Sequence, residues 1–225
     1  MRWIKWAFMG VTWVALPTFA QNAPPAPSVR FVAVLDPAHG GNDAGGRLSS
    51  GQLEKTATLA LSIRLRSLLN ARGISVVTTR ESDATLDSDR RATIANHAKA
   101  QLCLSLHVSD SGSGVHLFVS SLAPAPQVPF LPWKTAQAAW ITRSLALAGA
   151  LNSAVAHAGL NVTLGRTALP GLDSMTCPAV AVELAPKRTE DGSVLAEPDD
   201  ASYQAKAAAA LAAAVLEFRA EPRQP

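Results

Sequence analysis

Two rhythms of apolar and polar positions run along this chain. Short runs at 31–35 (FVAVL), 74–79 (ISVVTT), 102–107 (LCLSLH) and 180–184 (VAVEL, opening at Val180) have the length and the apolar or β-branched content of strands. A weaker alternation over 115–121 reads as one more strand. Between them the spacing becomes helical. Leu53, Ala57, Leu61, Leu65, Leu68 and Leu69 form one stripe, and Gly73 follows as a stop.

A polar helix is expected over 87–100 and a long one over 135–157, closed by Gly159. An alanine-rich helix of high intrinsic propensity follows over 203–218. The segment 122–133 carries prolines at 124, 126, 129 and 132, which forbid helix or central strand, so it is expected to be irregular. Strands alternating with helices predict a single α/β domain. It should hold a mostly parallel, twisted sheet of about six strands with helices on both faces.

The first residues change the picture of where the chain works. Arg2 and Lys5 precede an apolar stretch, AFMGVTWVALP, and Thr18-Phe19-Ala20 offers a cleavage site, which together predict a signal peptide over 1–20. Thr18 fits the position before the cut less well than alanine, so an uncleaved anchor stays open as the alternative. A Pro/Ala linker then occupies 21–29, and the folded domain is expected over 30–220. Export to the periplasm or the exterior follows.

Losing Arg2 and Lys5 would take two positive charges from a formal net of +3. No cluster of Lys and Arg with interleaved aromatics remains, so nucleic acid is excluded as a partner. Cys103 lies in an apolar strand and Cys177 just before another. Both read as small buried core residues, although an oxidising compartment leaves a single bridge open.

Candidate chemistry sits where apolar runs stop. The first run leads into DPAHGG and His39, the third ends at His107, and the last reaches Glu183. Parallel strands of an open sheet deliver ligands at their carboxyl ends, so three such endings can converge. Glu54 opens the helix after the first run. Two imidazoles and a carboxylate suit catalytic zinc, and a further free carboxylate suits hydrolysis by an activated water.

Each residue has a plainer reading. His39 and His107 can be satisfied by backbone or core partners. Glu54 can sit at the third helical position of a capping arrangement with Gly51 as the N-cap. Glu183 can pair with Lys187 or Arg188. His97 on a polar helix, His116 in an edge-like strand and His157 in a last helical turn read as structural.

Taken in order, DPAHGG, GQLEK, TTRESD, IANHAKAQLCLSLHVS and CPAVAVEL resemble the zinc-dependent N-acetylmuramoyl-L-alanine amidases of bacterial cell-wall turnover. The likeness runs from about residue 31 to 218. It implies one zinc ion per chain held by His39, Glu54 and His107, with Glu183 as the catalytic acid and base. It further implies peptidoglycan as the partner, cleavage between N-acetylmuramic acid and L-alanine, and a role in wall remodelling or daughter-cell separation. An activator protein, known for some members, is not identifiable from the chain, and a monomer is expected.

Ala38 stands where the family usually has glycine. LHVS replaces a histidine-alanine-asparagine ending, and LAPKRTE replaces a glycine-phenylalanine segment. All four chemical positions survive, so these departures read as changes of pocket shape and substrate preference. Two other functions fit the same residues: a catalytically silent wall-binding module, and a zinc hydrolase of another amide.

Overall fold

The computed structural model describes Met1 and residues 30–126 and 132–221. The expected signal peptide and linker, and part of the proline-rich segment, lie outside the described residues. The chain begins with β1 (Val32–Pro37), α1 (Glu54–Asn70), β2 (Ser75–Thr78), α2 (Ser88–His97), β3 (Leu102–Val108) and β4 (Val115–Ser120). After a 3₁₀ segment, Trp133–Trp140, come α3 (Ile141–His157), β5 (Val162–Thr167), the short α4 (Pro170–Asp173) and β6 (Ala179–Leu184). A small hairpin, β7 (Lys187–Arg188) and β8 (Val194–Ala196), precedes α5 (Ala201–Ala220).

The main sheet has six strands in the order β2-β1-β3-β6-β4-β5, and all neighbours run parallel except β4 and β6. That exception has a cause in chain length. Only residues 109–114 separate β3 from β4, too few for the crossover that a parallel return needs, so β4 must reverse. β6 then inserts between them, and β5 pairs on the outer side of β4, which places β4 inside the sheet rather than at its edge. His116 is therefore on an interior strand, contrary to the edge-like reading of its sequence.

Alternate residues of each strand feed two cores. On one face Leu35, Leu104, Leu106, Leu117 and Val182 pack with α1, α3 and α5 through Leu61, Leu65, Leu151, Leu211 and Phe218. On the other, Val34, Cys103 and Ala181 meet Ala92 and Ala95 of α2 and Leu172 of α4. Each fully buried leucine contributes about 1.5–3 kcal/mol relative to exposure. The second core is smaller, and it leaves the carboxyl ends of β3 and β6 uncovered on that face, where His107 and Glu183 are only partly buried.

Asp87 caps α2 by accepting from the Arg90 N–H, and Asp200 caps α5 by accepting from the Ser202 and Tyr203 N–H groups. The first helix follows a different rule. Its N-cap is Leu53, and Glu54 is its first residue rather than the third, so Gly51 is not the cap. The expected helix over 135–157 becomes regular only at Ile141, because Thr135 breaks the preceding 3₁₀ segment with φ −125° and ψ 20°.

β5 was not expected. Its residues are mostly exposed and form no apolar run, since it is an edge strand held by β4 alone. The β7–β8 hairpin, equally short and exposed, gave no signal either.

Of the two readings open for Cys103 and Cys177, buried core residues or a single bridge, the structure has the bridge, with Cα atoms 6.1 Å apart. The bridge fastens β3 to the residues leading into β6, next to the register pair Cys103–Ala179. It closes a loop spanning 74 positions. Replacing both cysteines by alanine is expected to destabilise the fold by about 2–4 kcal/mol. Denaturant unfolding of parent and variant checks this, and coincident midpoints would contradict it.

Candidate metal centre

His39, Glu54 and His107 meet at the carboxyl end of the sheet, and each offers a donor atom such that all lie within 4.8 Å of one another. His39 follows β1, Glu54 opens α1, and His107 is the penultimate residue of β3. Glu54 is the bridge. Its Oε2 lies 3.1 Å from His39 Nε2 and accepts from the Gly46 N–H at 2.9 Å. Its Oε1 lies 3.1 Å from His107 Nδ1 and accepts from the Val108 N–H at 3.3 Å. The imidazoles stand nearly perpendicular, with centroids 5.6 Å apart.

Close approach requires glycine beside them. A Cβ on Gly45, whose φ is +65°, would lie 2.6 Å from His39 Cδ2 and 2.8 Å from Glu54 Oε2. His39 itself has φ 61°, in the left-handed region where a non-glycine residue is strained.

A buried frame holds that shape. Asp36, 5% exposed, accepts from Arg91 Nη1 at 2.7 Å, Thr79 Oγ1 at 2.5 Å and Ser105 Oγ at 3.1 Å. Arg91 also donates to the carbonyls of Pro37 at 2.8 Å and His39 at 2.6 Å. Arg80 donates to the carbonyls of Pro37, Ala38 and Lys55 at 2.9, 2.9 and 2.7 Å. Two guanidiniums thus collect the carbonyls of the turn that carries His39. Lys55 Nζ adds the Gly41 carbonyl at 2.8 Å and Asp83 at 2.7 Å.

None of these framing residues was singled out from sequence. Arg80 lies within TTRESD, so the motif was visible and its role was not. Asp43, four residues after His39, was missed as well: its Oδ2 lies 2.8 Å from His39 Nδ1 and fixes the ring.

Electrostatics in the trio are shared. The hydrogen bond to Glu54 raises the His39 pKa above the ordinary 6.5 against the opposing pull of burial, and Asp43 adds to the rise. Burial pushes the Glu54 carboxyl up, but hydrogen bonds from His107, His39 and the Gly46 N–H outweigh it and hold the group well below the usual range. Glu54 therefore stays an anion although only 7% exposed. The set suits a divalent cation: two imidazoles, one ionised carboxylate, and a carboxylate behind one imidazole, as metal-ligating histidines commonly have.

Glu183 stands beside the trio. It is in register with His107 on the adjacent parallel strand, about 4.8 Å away, so both side chains leave the same face of the sheet. Among the described residues it has no ion pair. Arg188, one of its suggested partners, instead donates to the carbonyls of Gly112 and Gly192. His97 and His157 lie on helices and are not among the three clustered donors.

A family model described as N-acetylmuramoyl-L-alanine amidase matches residues 33–217, most of the chain. The N-acetylmuramoyl-L-alanine amidase Rv3717 of Mycobacterium tuberculosis is 31% identical over 90% of this chain and 92% of its own length. A germination-specific N-acetylmuramoyl-L-alanine amidase of Bacillus subtilis is 36% identical over 35% of this chain and 38% of its own length. Among solved structures, the amidase Ami1 from Mycobacterium abscessus superposes with a TM-score of 0.68 at 23% identity, covering 84% of this chain and 99% of that one. At that identity the superposition speaks for the fold, and the family match and the Mycobacterium tuberculosis relative speak for descent. The chain belongs to the N-acetylmuramoyl-L-alanine amidase family.

Proposed function

We propose that this chain hydrolyses the amide between N-acetylmuramic acid and L-alanine in peptidoglycan, with zinc held by His39, Glu54 and His107 and with Glu183 as the proton carrier. The observation that carries the reading is the convergence of two imidazoles and an ionised carboxylate within 4.8 Å, beside a carboxylate with no ion pair among the described residues. Bound to the trio, zinc supplies Lewis acidity, polarising an acyl oxygen and acidifying a water molecule.

The chain's own residues do the rest. Glu183 takes a proton from the attacking water as general base and returns it to the departing amine nitrogen as general acid. Asp43 keeps the His39 ring oriented, and Arg80 and Arg91 hold the turn behind it. The location that suits this substrate is the periplasm or the exterior, reached through residues 1–20 as a signal peptide. The cellular role is wall remodelling or daughter-cell separation.

Glu183→Gln is expected to lower release of stem peptides from purified sacculi by about 10²–10⁴-fold while zinc content stays at one per chain. Muropeptide chromatography and metal analysis check this. A variant that digests sacculi like the parent removes Glu183 from the mechanism, and a zinc-loaded parent that leaves them intact removes the activity.

Protons compete with metal for the imidazoles. Because the His39 pKa is raised, zinc affinity is expected to begin falling at a pH above the ordinary imidazole value of 6.5 and to weaken further below it. In the metal-free protein the same His39–Glu54 attraction works the other way for stability. From the imidazole side it is fully present below the unfolded pKa and lost as pH rises through the raised folded value; from the carboxylate side it is lost as pH falls through the depressed one. Calorimetric zinc titrations across neutral pH test the first point, and a flat affinity contradicts it.

A further inference from the structure

One row of the sheet continues past the catalytic carboxylate. Register places His107 opposite Glu183, Glu183 opposite His116, and His116 opposite Thr163, so four side chains on β3, β6, β4 and β5 share one face. Strands lie about 4.8 Å apart, which sets His116 one step beyond Glu183 on the side away from the metal-ligand trio. α3 packs on β4 and β5 from the opposite face, through Leu117, Val119, Leu147 and Leu151. Thr163 and Thr167 on the near face are exposed, and Gly165 contributes no side chain.

His116 is a polar group without a protein partner there. Its Nε2 is shut from solvent and makes no hydrogen bond. Gly112 covers that side of the ring, since a Cβ at Gly112 would lie 2.7 Å from Nε2. Phe118, 6.4 Å away between centroids, flanks the ring on the same face of the strand. Nε2 is sealed while the residue as a whole is only partly buried, which leaves Nδ1 as the nitrogen for a ligand. Held between Gly112 and Phe118, the ring makes no hydrogen bond among the described residues.

The order of groups states which ligand. In the proposed reaction the acyl oxygen belongs at the trio, and the amine nitrogen receives its proton from Glu183. The chain attached to that nitrogen therefore extends past Glu183, and the first polar oxygens along it are those of the departing peptide. We propose that His116 is a substrate-binding residue, hydrogen-bonding through Nδ1 to a carbonyl or carboxylate oxygen of that peptide. The proposal rests on the amide-hydrolase reading and adds the side of the cleft on which the peptide lies.

The test is calorimetric titration of the full protein and of His116→Ala with two probes, the dipeptide L-alanyl-D-isoglutamine and free N-acetylmuramic acid. Loss of one hydrogen bond is expected to weaken dipeptide binding about three- to tenfold and to leave the sugar unchanged. His116→Gln, which keeps a donor, is expected to recover part of the affinity, and this separates a hydrogen bond from packing. In sacculus digestion KM should rise by the same factor with kcat nearly unchanged.

Unchanged dipeptide affinity, a loss confined to the sugar, an equal loss for both probes, or a parent that digests sacculi but binds no dipeptide each overturns the proposal. Failure of the hydrolase reading shows elsewhere, as sacculi left intact by the parent.

Discussion

A carboxylate taken out of water must find positive charge or hydrogen-bond donors, and the arrangement around Glu54 answers that constraint. The group is almost fully buried yet remains ionised, because two imidazoles, two backbone N–H groups and the amino end of α1 surround it. A divalent cation would satisfy the same anion more fully than the two imidazoles alone do. The geometry that makes Glu54 tolerable inside the protein is thus one that could also hold a metal ion, and in the proposed function folding and metal binding draw on one set of contacts.

That set survives only if His39 stays where an ordinary backbone would not put it. A left-handed residue costs about 1–2 kcal/mol, and the turn from Pro37 to Gly41 carries one directly before two glycines with positive φ. Arg80 and Arg91 offset the strain by capturing the carbonyls of that turn, and Asp36 pairs with Arg91 from within the sheet. Such a buried network is strong only when complete, since removing one partner leaves an uncompensated charge. The frame reaches α1, α2, β1, β2 and β3, and so ties the metal trio to most of one half of the domain.

Much of this was legible from the chain because each candidate lies at a boundary that hydrophobic patterning marks. His107 and Glu183 end apolar runs, and both lie at the carboxyl ends of interior strands. Side chains that act from behind were not legible. Arg80 and Arg91 sit in segments that read as loop and polar helix, and only the folded chain shows them turned inward to carbonyls. β5 escaped notice because an edge strand need not be apolar, and the cysteine bridge because pairing depends on Cβ proximity across 74 positions. His116 reads as edge-like for a topological reason, as no local pattern announces that the polar β5 will pair on the outer side of β4.

The central claim is that His39, Glu54 and His107 form one first coordination sphere. X-ray absorption at the zinc edge, on protein loaded with one equivalent of zinc, tests it most directly. The account predicts two imidazole nitrogens at about 2.0–2.1 Å with oxygen completing a shell of low coordination number. A shell of oxygens alone, or one containing sulfur, would contradict it.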